Sequence, residues 1–296
     1  MTSPLPPAEA PALTEDAFFL LRDLIEAHFG LRYETDTAYL LERRLQPRLL
    51  TLQLRSFLDY YDYLKNPALP EIDRIRELED IYERLATRET YFFRESYQLD
   101  VLREILLPQL HSEQPRGKRL ALWSAGCATG EEVYSLAIQV LESGLFDGWQ
   151  VQIIGTDLSR TALDVAQRGV YGPSSFRQTE ARLHQRYFRP LTGRWEVLPE
   201  VKRMCTFRRG NLIRDDFSII GGPFDAVFCR NVLIYFSRQQ RVPLIAKISD
   251  RLSPGGYLFL GHSESLLDVS TPLQLSHLGR EMVYRRPVPT GLIGSR

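Results

Sequence analysis

Residues 122–132 read LWSAGCATGEE. An apolar run leads into a turn of small residues containing Gly126 and Gly130, and two adjacent acids, Glu131 and Glu132, stand where a helix begins. Such a strand, glycine turn and helix start match the first connection of a doubly wound sheet, where glycines let the backbone approach a ligand closely. A phosphate site there favours unopposed amide N–H groups and often a lysine. Two carboxylates repel phosphate instead. The two glycines do not form GxGxxG, which weakens a dinucleotide reading. The plain alternative is that the acids complement the helix dipole from its first turn, and Glu132 is read as doing no more than that.

Working outward, LALWSA, QVQIIGT, FDAVFC and GGYLFLG are short apolar runs of the kind that form strands buried on both faces. Helical patterns such as EEVYSLAIQVLES and RVPLIAKISDRL separate them, and that alternation predicts a parallel α/β sheet over 118–287. The rhythm fails between 171 and 209. A helical piece around 182–188 is followed by GRWEVLP and KRMCTFR, which predict short antiparallel strands in a small insertion at about 190–209.

Upstream the period changes. Phe18, Leu21, Leu24, Ile25 and Phe29, then Leu40, Leu41, Leu45 and Leu49, then Phe57, Tyr60, Tyr61 and Leu64 recur at helical spacing. This predicts a helical domain over 14–87, opened by Thr14 as N-cap and broken at Gly30 and at 66–70. Residues 88–117 read as a linker and connecting helix. The Pro- and Ala-rich residues 1–13 predict a disordered lead-in, and the Gly-, Pro- and Ser-rich residues 288–296 a flexible tail.

Composition narrows the function. The 296 residues carry 37 Lys+Arg and 37 Asp+Glu, and this balance argues against bulk capture of nucleic acid or anionic membrane. Cys127, Cys205 and Cys229 are widely spaced in apolar contexts, so neither a disulfide framework nor a metal clip is indicated. Neither a signal peptide nor a membrane-spanning apolar run is evident. The reading is a cytoplasmic protein without a metal or membrane insertion.

A further acid refines the ligand. QVQIIGT ends in Asp157, where doubly wound nucleoside-binding domains place a carboxylate for ribose hydroxyls. The alternative is a helix N-cap, a role that Asp157 and Ser159 fit equally well. A glycine turn followed by acids, plus an acid ending the next strand, suits a nucleoside that carries positive charge. S-adenosylmethionine is such a ligand.

Three more segments, TRETYFFRE (87–95), CRNVLIYF (229–236) and GYLFLGHSESL (256–266), together with the glycine loop, closely resemble the CheR family. These are S-adenosylmethionine-dependent methyltransferases that esterify glutamates on bacterial chemoreceptors. The resemblance runs from about 18 to 285 and includes the RRLQPR segment. It implies a Rossmann-like class I methyltransferase sheet domain of α/β class with a small antiparallel β insertion, preceded by an all-helical N-terminal domain, the two clamping the cofactor. Carried over position by position, it implies that Thr90 and Arg94 enter the cofactor cleft, that Glu131 is the loop acid and that Asp157 contacts the ribose. Asn211 and Leu212 would flank the adenine. Arg230, Asn231 and Val232 would line the methionine end, with Tyr235 facing the reactive methyl. One departure is Arg88, which stands where many members have an asparagine.

The resemblance makes Arg94 and Tyr235 the catalytic candidates, Arg94 to orient a carboxylate by charge-assisted hydrogen bonds and Tyr235 to pack or hydrogen-bond at the transfer point. The alternatives are an ion pair of Arg94 with Glu95 or a nearby acid, and a core aromatic at Tyr235. Phe92, Phe93 and Phe236 read as packing residues, and Cys127 and Cys229 as buried fillers. His262 reads as a structural histidine at a strand end, because adjacent Ser, His and Glu do not make a triad. Arg43, Arg44, Arg48 and Arg55 are candidates for engaging the receptor's helical cytoplasmic domain, with Arg44 and Arg48 sharing a face. The ordinary alternative is a solvated face paired with acids such as Glu42 and Asp59. The compact insertion predicts no dependence on a receptor C-terminal tether. The expectation is a monomeric protein-glutamate O-methyltransferase. Its rival is a non-catalytic CheR-like cofactor-binding regulatory module, towards which Arg88 leans. A dinucleotide oxidoreductase is disfavoured by the acids after Gly130.

Overall fold

The computed structural model describes residues 11–113 and 117–289, so the lead-in and tail fall largely outside the described residues. The chain divides into two compact units, Met1–Thr87 and Arg88–Arg296.

The first unit is helical: α1 Glu15–Phe29, α2 Ala38–Thr51, α3 Phe57–Lys65 and α4 Glu71–Leu85. The Thr14 hydroxyl accepts the Ala17 N–H at 3.4 Å to open α1, and Gly30 closes it in the left-handed region at φ 76°. Ser56 caps α3 in the same way as Thr14 caps α1. The buried stripes Phe18, Leu21 and Ile25, then Leu41, Leu45 and Leu49, then Phe57, Tyr60 and Leu64 are those that the periodicity marks.

A carboxylate is buried among them. Glu77 is 3% exposed and accepts Arg48 Nε at 2.8 Å, Arg48 Nη2 at 2.5 Å and the Tyr60 hydroxyl at 2.5 Å. An unpaired charge in that position would be expensive, which is why the arginine is drawn to it. Arg44 donates to the Leu85 carbonyl at the end of α4, satisfying a backbone group the helix leaves open. These contacts give the guanidinium groups of Arg44 and Arg48, both half-buried, partners within the helical unit itself. Arg43 and Arg55 remain exposed.

The second unit opens with α5 Ser96–Val101, which passes through a π-type turn at Leu102–Leu106 into α6 Leu107–Glu113. Then follow β1 Arg119–Ala125, α7 Glu131–Ser143, β2 Gln150–Asp157, α8 Arg160–Arg168 and β3 Val170–Tyr171. Next come α9 Ala181–Tyr187, β4 Phe188–Leu191, β5 Arg194–Val197, α10 Pro199–Lys202 and β6 Cys205–Arg209. The last elements are β7 Phe224–Cys229, α11 Arg238–Arg251, β8 Leu252–Leu260, β9 Gln274–Leu278 and β10 Glu281–Arg285. The main sheet has the order β6-β2-β1-β7-β8-β10-β9.

Six of its seven strands run in one direction and β10 alone is reversed, antiparallel to both β8 and β9, so the sheet is mixed. Only Gly279 and Arg280 join β9 to β10, and so tight a connection enforces antiparallel pairing. A correction concerns KRMCTFR. The strand β6 does not belong to the insertion. It pairs parallel with β2, Cys205 opposite Ile153 and Arg209 opposite Asp157, because the short α10 returns the chain to the edge of the main sheet. The small sheet is β3-β5-β4, so it begins at Val170 and ends at Val197.

Alternate residues of the central strands feed two apolar layers. Leu122, Ile153, Phe228 and Phe259 pack on one face with Val133 and Leu136 of α7, while Trp123, Ile154, Val227 and Leu258 pack on the other with Ile245 and Ile248 of α11. That two-sided burial is why the strands read as unbroken apolar runs. The chain leaves β1 for β2 on one side and returns to β7 on the other. The switch point, where such sheets bind ligands beyond the strands' carboxyl ends, therefore lies between β1 and β7.

Candidate active site

The glycine turn sits at that switch point. Gly126 has φ 83°, and a Cβ built on it would lie 2.7 Å from Val232 Cγ2, so the turn after β1 touches the turn after β7. The N–H groups of Gly126 and Cys127 both donate to the Thr156 carbonyl, at 2.8 and 2.9 Å. Ala128 N–H donates to Asp157 Oδ2 at 2.8 Å, and Ser159 N–H to Asp157 Oδ1 at 2.9 Å. Ser159 itself caps α8 through Ala162 N–H at 3.0 Å. Of the two N-cap candidates Ser159 takes the role, and Asp157 joins the end of β2 to the glycine turn.

The two acids of α7 have separate surroundings. Glu131 is 2% exposed and accepts the hydroxyls of Thr129 at 2.6 Å and Ser175 at 2.9 Å. Burial pushes its carboxyl above the ordinary range. Glu132 accepts the Ser124 hydroxyl at 2.6 Å and lies 3.4 Å from Arg230 Nε. Burial raises it too, against the lowering influence of Arg230. Its role is therefore not confined to the helix start.

Arg230 follows β7, and its side chain is 2% exposed. It stands 3.7 Å from Glu95 as well as beside Glu132, and it donates to the Arg94 carbonyl. Arg230 Nε and Nη1 and Glu95 Oε2 are buried with no hydrogen-bond partner among the described residues. Buried polar atoms left open in this way call for an explanation, and a bound ligand is one. Glu95 Oε1 accepts Asn231 Nδ2 at 3.3 Å and His262 N–H at 3.4 Å.

Sequence reasoning missed Glu264. Its Oε2 accepts the N–H groups of Asn231 and Gly261, both at 2.7 Å, and its Oε1 accepts that of Ile234 at 3.2 Å. Asn231 adopts φ 58°, a left-handed conformation that residues with a Cβ seldom adopt and asparagine tolerates better than most, and these bonds hold it there. A Cβ on Gly261 would lie within 2.8 Å of Asn231 N and Glu264 Oε2. The GHSES motif thus works through its glycine and glutamate. The His262 side chain is exposed, which corrects its reading as a structural histidine.

A family model described as "CheR methyltransferase, SAM binding domain" matches residues 88–281, and another described as "CheR methyltransferase, all-alpha domain" matches residues 16–85. The chain belongs to the CheR methyltransferase family. "Chemotaxis protein methyltransferase 2" of Pseudomonas aeruginosa is 35% identical over 263 residues, which cover 87% of this chain and 89% of that protein. "Chemotaxis protein methyltransferase 2" of Vibrio cholerae is 30% identical over 277 residues, 93% of this chain and 94% of that one. "Chemotaxis protein methyltransferase Cher2" of Pseudomonas putida is 38% identical over 214 residues, 70% of this chain and 76% of that one.

Within the CheR SAM-binding domain the carboxyl ends of β1, β2, β6 and β7 gather most of the residues singled out. Gly210 N–H donates to the Asp157 carbonyl at 3.0 Å, which sets Asn211 and Leu212 beside Asp157. Asn211 shapes its own turn, accepting Ile213 N–H at 2.9 Å, and Leu212 is buried. Thr90, in the segment leading to α5, is half-buried, as is Arg88. Arg94 donates to the Glu89 carbonyl at 2.7 Å and lies 5.8 Å from the Tyr91 ring centroid. Glu95 turns instead to Arg230, so the suggested pairing of Arg94 with its neighbour gives way. Tyr235 ends the 3-10 turn Leu233–Tyr235 and is half-buried, not a core aromatic. Phe92 packs against Tyr171, Phe176 and Phe188 at 4.8 to 5.0 Å between centroids, as a packing residue should. Burial lifts the Cys127 and Cys229 thiols well above their ordinary value, which removes them as nucleophiles.

Proposed function

We propose that this chain transfers a methyl group from S-adenosylmethionine to glutamate side-chain carboxylates of chemoreceptors, giving glutamate methyl esters and S-adenosylhomocysteine. The observation that carries this reading is the buried group formed by Glu95, Glu132 and Arg230 at the switch point of a CheR SAM-binding domain, held at ion-pair distances with Arg230 Nη1 making no hydrogen bond among the described residues. An amino acid end bearing an ammonium and a carboxylate fits that arrangement. Asp157 would accept the ribose hydroxyls, with Asn211 and Leu212 beside the adenine. Thr90, Asn231 and Val232 would border the methionine end, and Glu131 would add negative charge from the wall of the site.

When bound, S-adenosylmethionine supplies a methyl group activated by the adjacent sulfonium. The acceptor glutamate has an unperturbed pKa of about 4.3 and is an anion at neutral pH, so no strong base is required. What the protein contributes is alignment, for which well-oriented systems lower barriers by about 7 to 11 kcal/mol. Arg94 would orient the incoming carboxylate, and Tyr235 would pack at the transfer point. The enzyme would act in the cytoplasm as a monomer, without a metal or nucleic acid. Exposed Arg43 would assist encounter with the receptor. Thr192 and Gly193 alone connect β4 to β5, which supports methylation without a receptor tether. Among the described residues no helix is long and apolar enough to cross a membrane.

Incubation with methyl-labelled S-adenosylmethionine and receptor cytoplasmic fragments should yield base-labile methyl esters. Cofactor binding by calorimetry without transfer to any receptor would overturn this reading in favour of a regulatory module.

A further inference from the structure

Arg94, assigned above to the acceptor carboxylate, sits on a turn that the backbone does not favour. Phe93 before it and Glu95 after it both stand in the left-handed region, at φ 58° and 52°. Residues with a Cβ seldom hold that conformation, and two of them flanking one side chain persist only where the surroundings over-determine them.

Two serines supply that restraint, and both work from the same acid. Ser175 lies in the 3-10 turn Pro173–Phe176. Its hydroxyl donates to Glu131 Oε1 at 2.9 Å, while its carbonyl accepts Phe92 N–H at 2.9 Å. Ser135, one turn into α7, accepts Phe93 N–H at 3.0 Å and donates to the Glu131 carbonyl at 2.7 Å. The two amides just ahead of Arg94 are thus tied to Glu131 by separate serines, one through its carboxylate and one through its backbone. Neighbouring contacts tighten the same join. Phe176 stacks on Phe92 with 5.0 Å between ring centroids and 15° between planes. The Arg177 guanidinium lies 3.7 Å from the Tyr91 ring centroid and 3.1 Å from the Glu89 carboxylate. Since Arg94 donates to the Glu89 carbonyl, any shift of residues 89–92 moves its anchor.

Resting on the function proposed above, we infer that Ser175 and Ser135 are positioning residues for Arg94. By tying Phe92 and Phe93 to Glu131 they hold the arginine in fixed relation to the glycine turn, so the acid that walls the cofactor site also aims the group that orients the acceptor carboxylate. A misplacement of about 1 Å can cost about a hundredfold in rate, so the loss falls on alignment and not on binding.

The test uses Ser175→Ala, Ser135→Ala and the hydroxyl-keeping Ser175→Thr in the full chain. With receptor cytoplasmic fragments, each alanine variant should lower kcat at least tenfold, with KM and S-adenosylhomocysteine affinity within threefold of wild type. Ser175→Thr should bring kcat back to within threefold. Hydrogen exchange of the amides over 92–95 should accelerate at least tenfold in the alanine variants, with those of β1 and β7 unchanged. An unchanged kcat despite faster exchange would leave the serines a purely structural role and overturn the proposal. So would equal loss in the alanine and threonine variants at 175, or a kcat that falls only in step with cofactor affinity. Should Ser135→Ala, at a buried site, fail to fold, the two Ser175 variants decide alone. If the wild-type chain methylates no receptor fragment, the functional reading fails instead. Exchange then decides: acceleration over 92–95 supports the anchoring by serine, and its absence overturns it.

Discussion

Replacing Glu264 by Gln should loosen the turn that carries Asn231 and Tyr235 while leaving the sheet folded. The carboxylate serves three backbone donors, two at 2.7 Å through Oε2 and one at 3.2 Å through Oε1. Glutamine has one acceptor oxygen. Placed at the Oε2 position it keeps two bonds, now without charge, and its amide NH2 then meets Ile234 N–H, donor against donor. Hydrogen bonds to charged groups are worth about 1.5 to 3 kcal/mol and neutral ones about 0.5 to 1.5. Weakening two by about 0.5 kcal/mol each and losing a third worth about 1.5 costs about 2.5 kcal/mol as a lower figure. At 1.36 kcal/mol per factor of ten, exchange of the Asn231 and Ile234 amides should accelerate on the order of 100-fold, because a surface turn opens without global unfolding. Hydrogen exchange over 231–236 reads this directly, and kcat/KM for receptor methylation should fall at least tenfold. Glu264→Ala, which removes all three acceptors, should go further in both. Exchange within threefold of wild type together with kcat/KM within twofold would refute the argument that this carboxylate holds the turn.

Gly126→Ala adds a Cβ that meets Val232 at 2.7 Å at a φ of 83°; calorimetry should show S-adenosylmethionine affinity reduced at least tenfold with an unchanged circular dichroism spectrum, and unaltered affinity would show the close approach to be irrelevant. Arg48→Ala strands the buried Glu77 and should destabilise the helical unit by about 3 to 5 kcal/mol in urea titrations, with cofactor affinity unchanged; loss of receptor methylation at full stability would show a receptor-facing role. Burial holds the Glu131 and Glu132 carboxyls above their ordinary value of 4.5. The folded protein therefore retains protons that the unfolded chain has released, and these two groups make stability fall as pH rises from 4.5 through their folded values. The stability difference between wild type and the Glu131→Gln, Glu132→Gln double variant, followed from pH 4 to 7 (about the span that carboxyl titration covers), should shift against the wild type with rising pH, and a flat difference would contradict the burial argument.

Local patterns carried much of the fold. Helical spacing identified the stripes of the first unit, and the apolar runs identified the central strands, because two-sided burial leaves no polar face to interrupt them. The mixed sheet and the position of β6 escaped notice, since strand partners are set by how α10 and the tight β9–β10 turn steer the chain. At the site, Gly126 and Asp157 stood out by residue type at element ends, and the segment 230–232 only through its resemblance to the CheR family. Glu264 did not, because an acid in a polar loop looks solvated until the three amides that surround it are known.

The sequence by itself determined the class of ligand and the family: a glycine turn needs no side chain to be recognised, and acids after it exclude phosphate by simple charge repulsion. Only the tertiary structure decided which charges meet. Arg48 and Glu77 lie 29 residues apart and Glu95 and Arg230 far further, and nothing local selects such pairs. Desolvation does, since a buried charge persists only where the fold brings its counter-charge or a hydrogen-bond donor to it. The same long-range packing that turned Arg44 and Arg48 inward brought Glu95, Glu132 and Arg230 together beside the glycine turn.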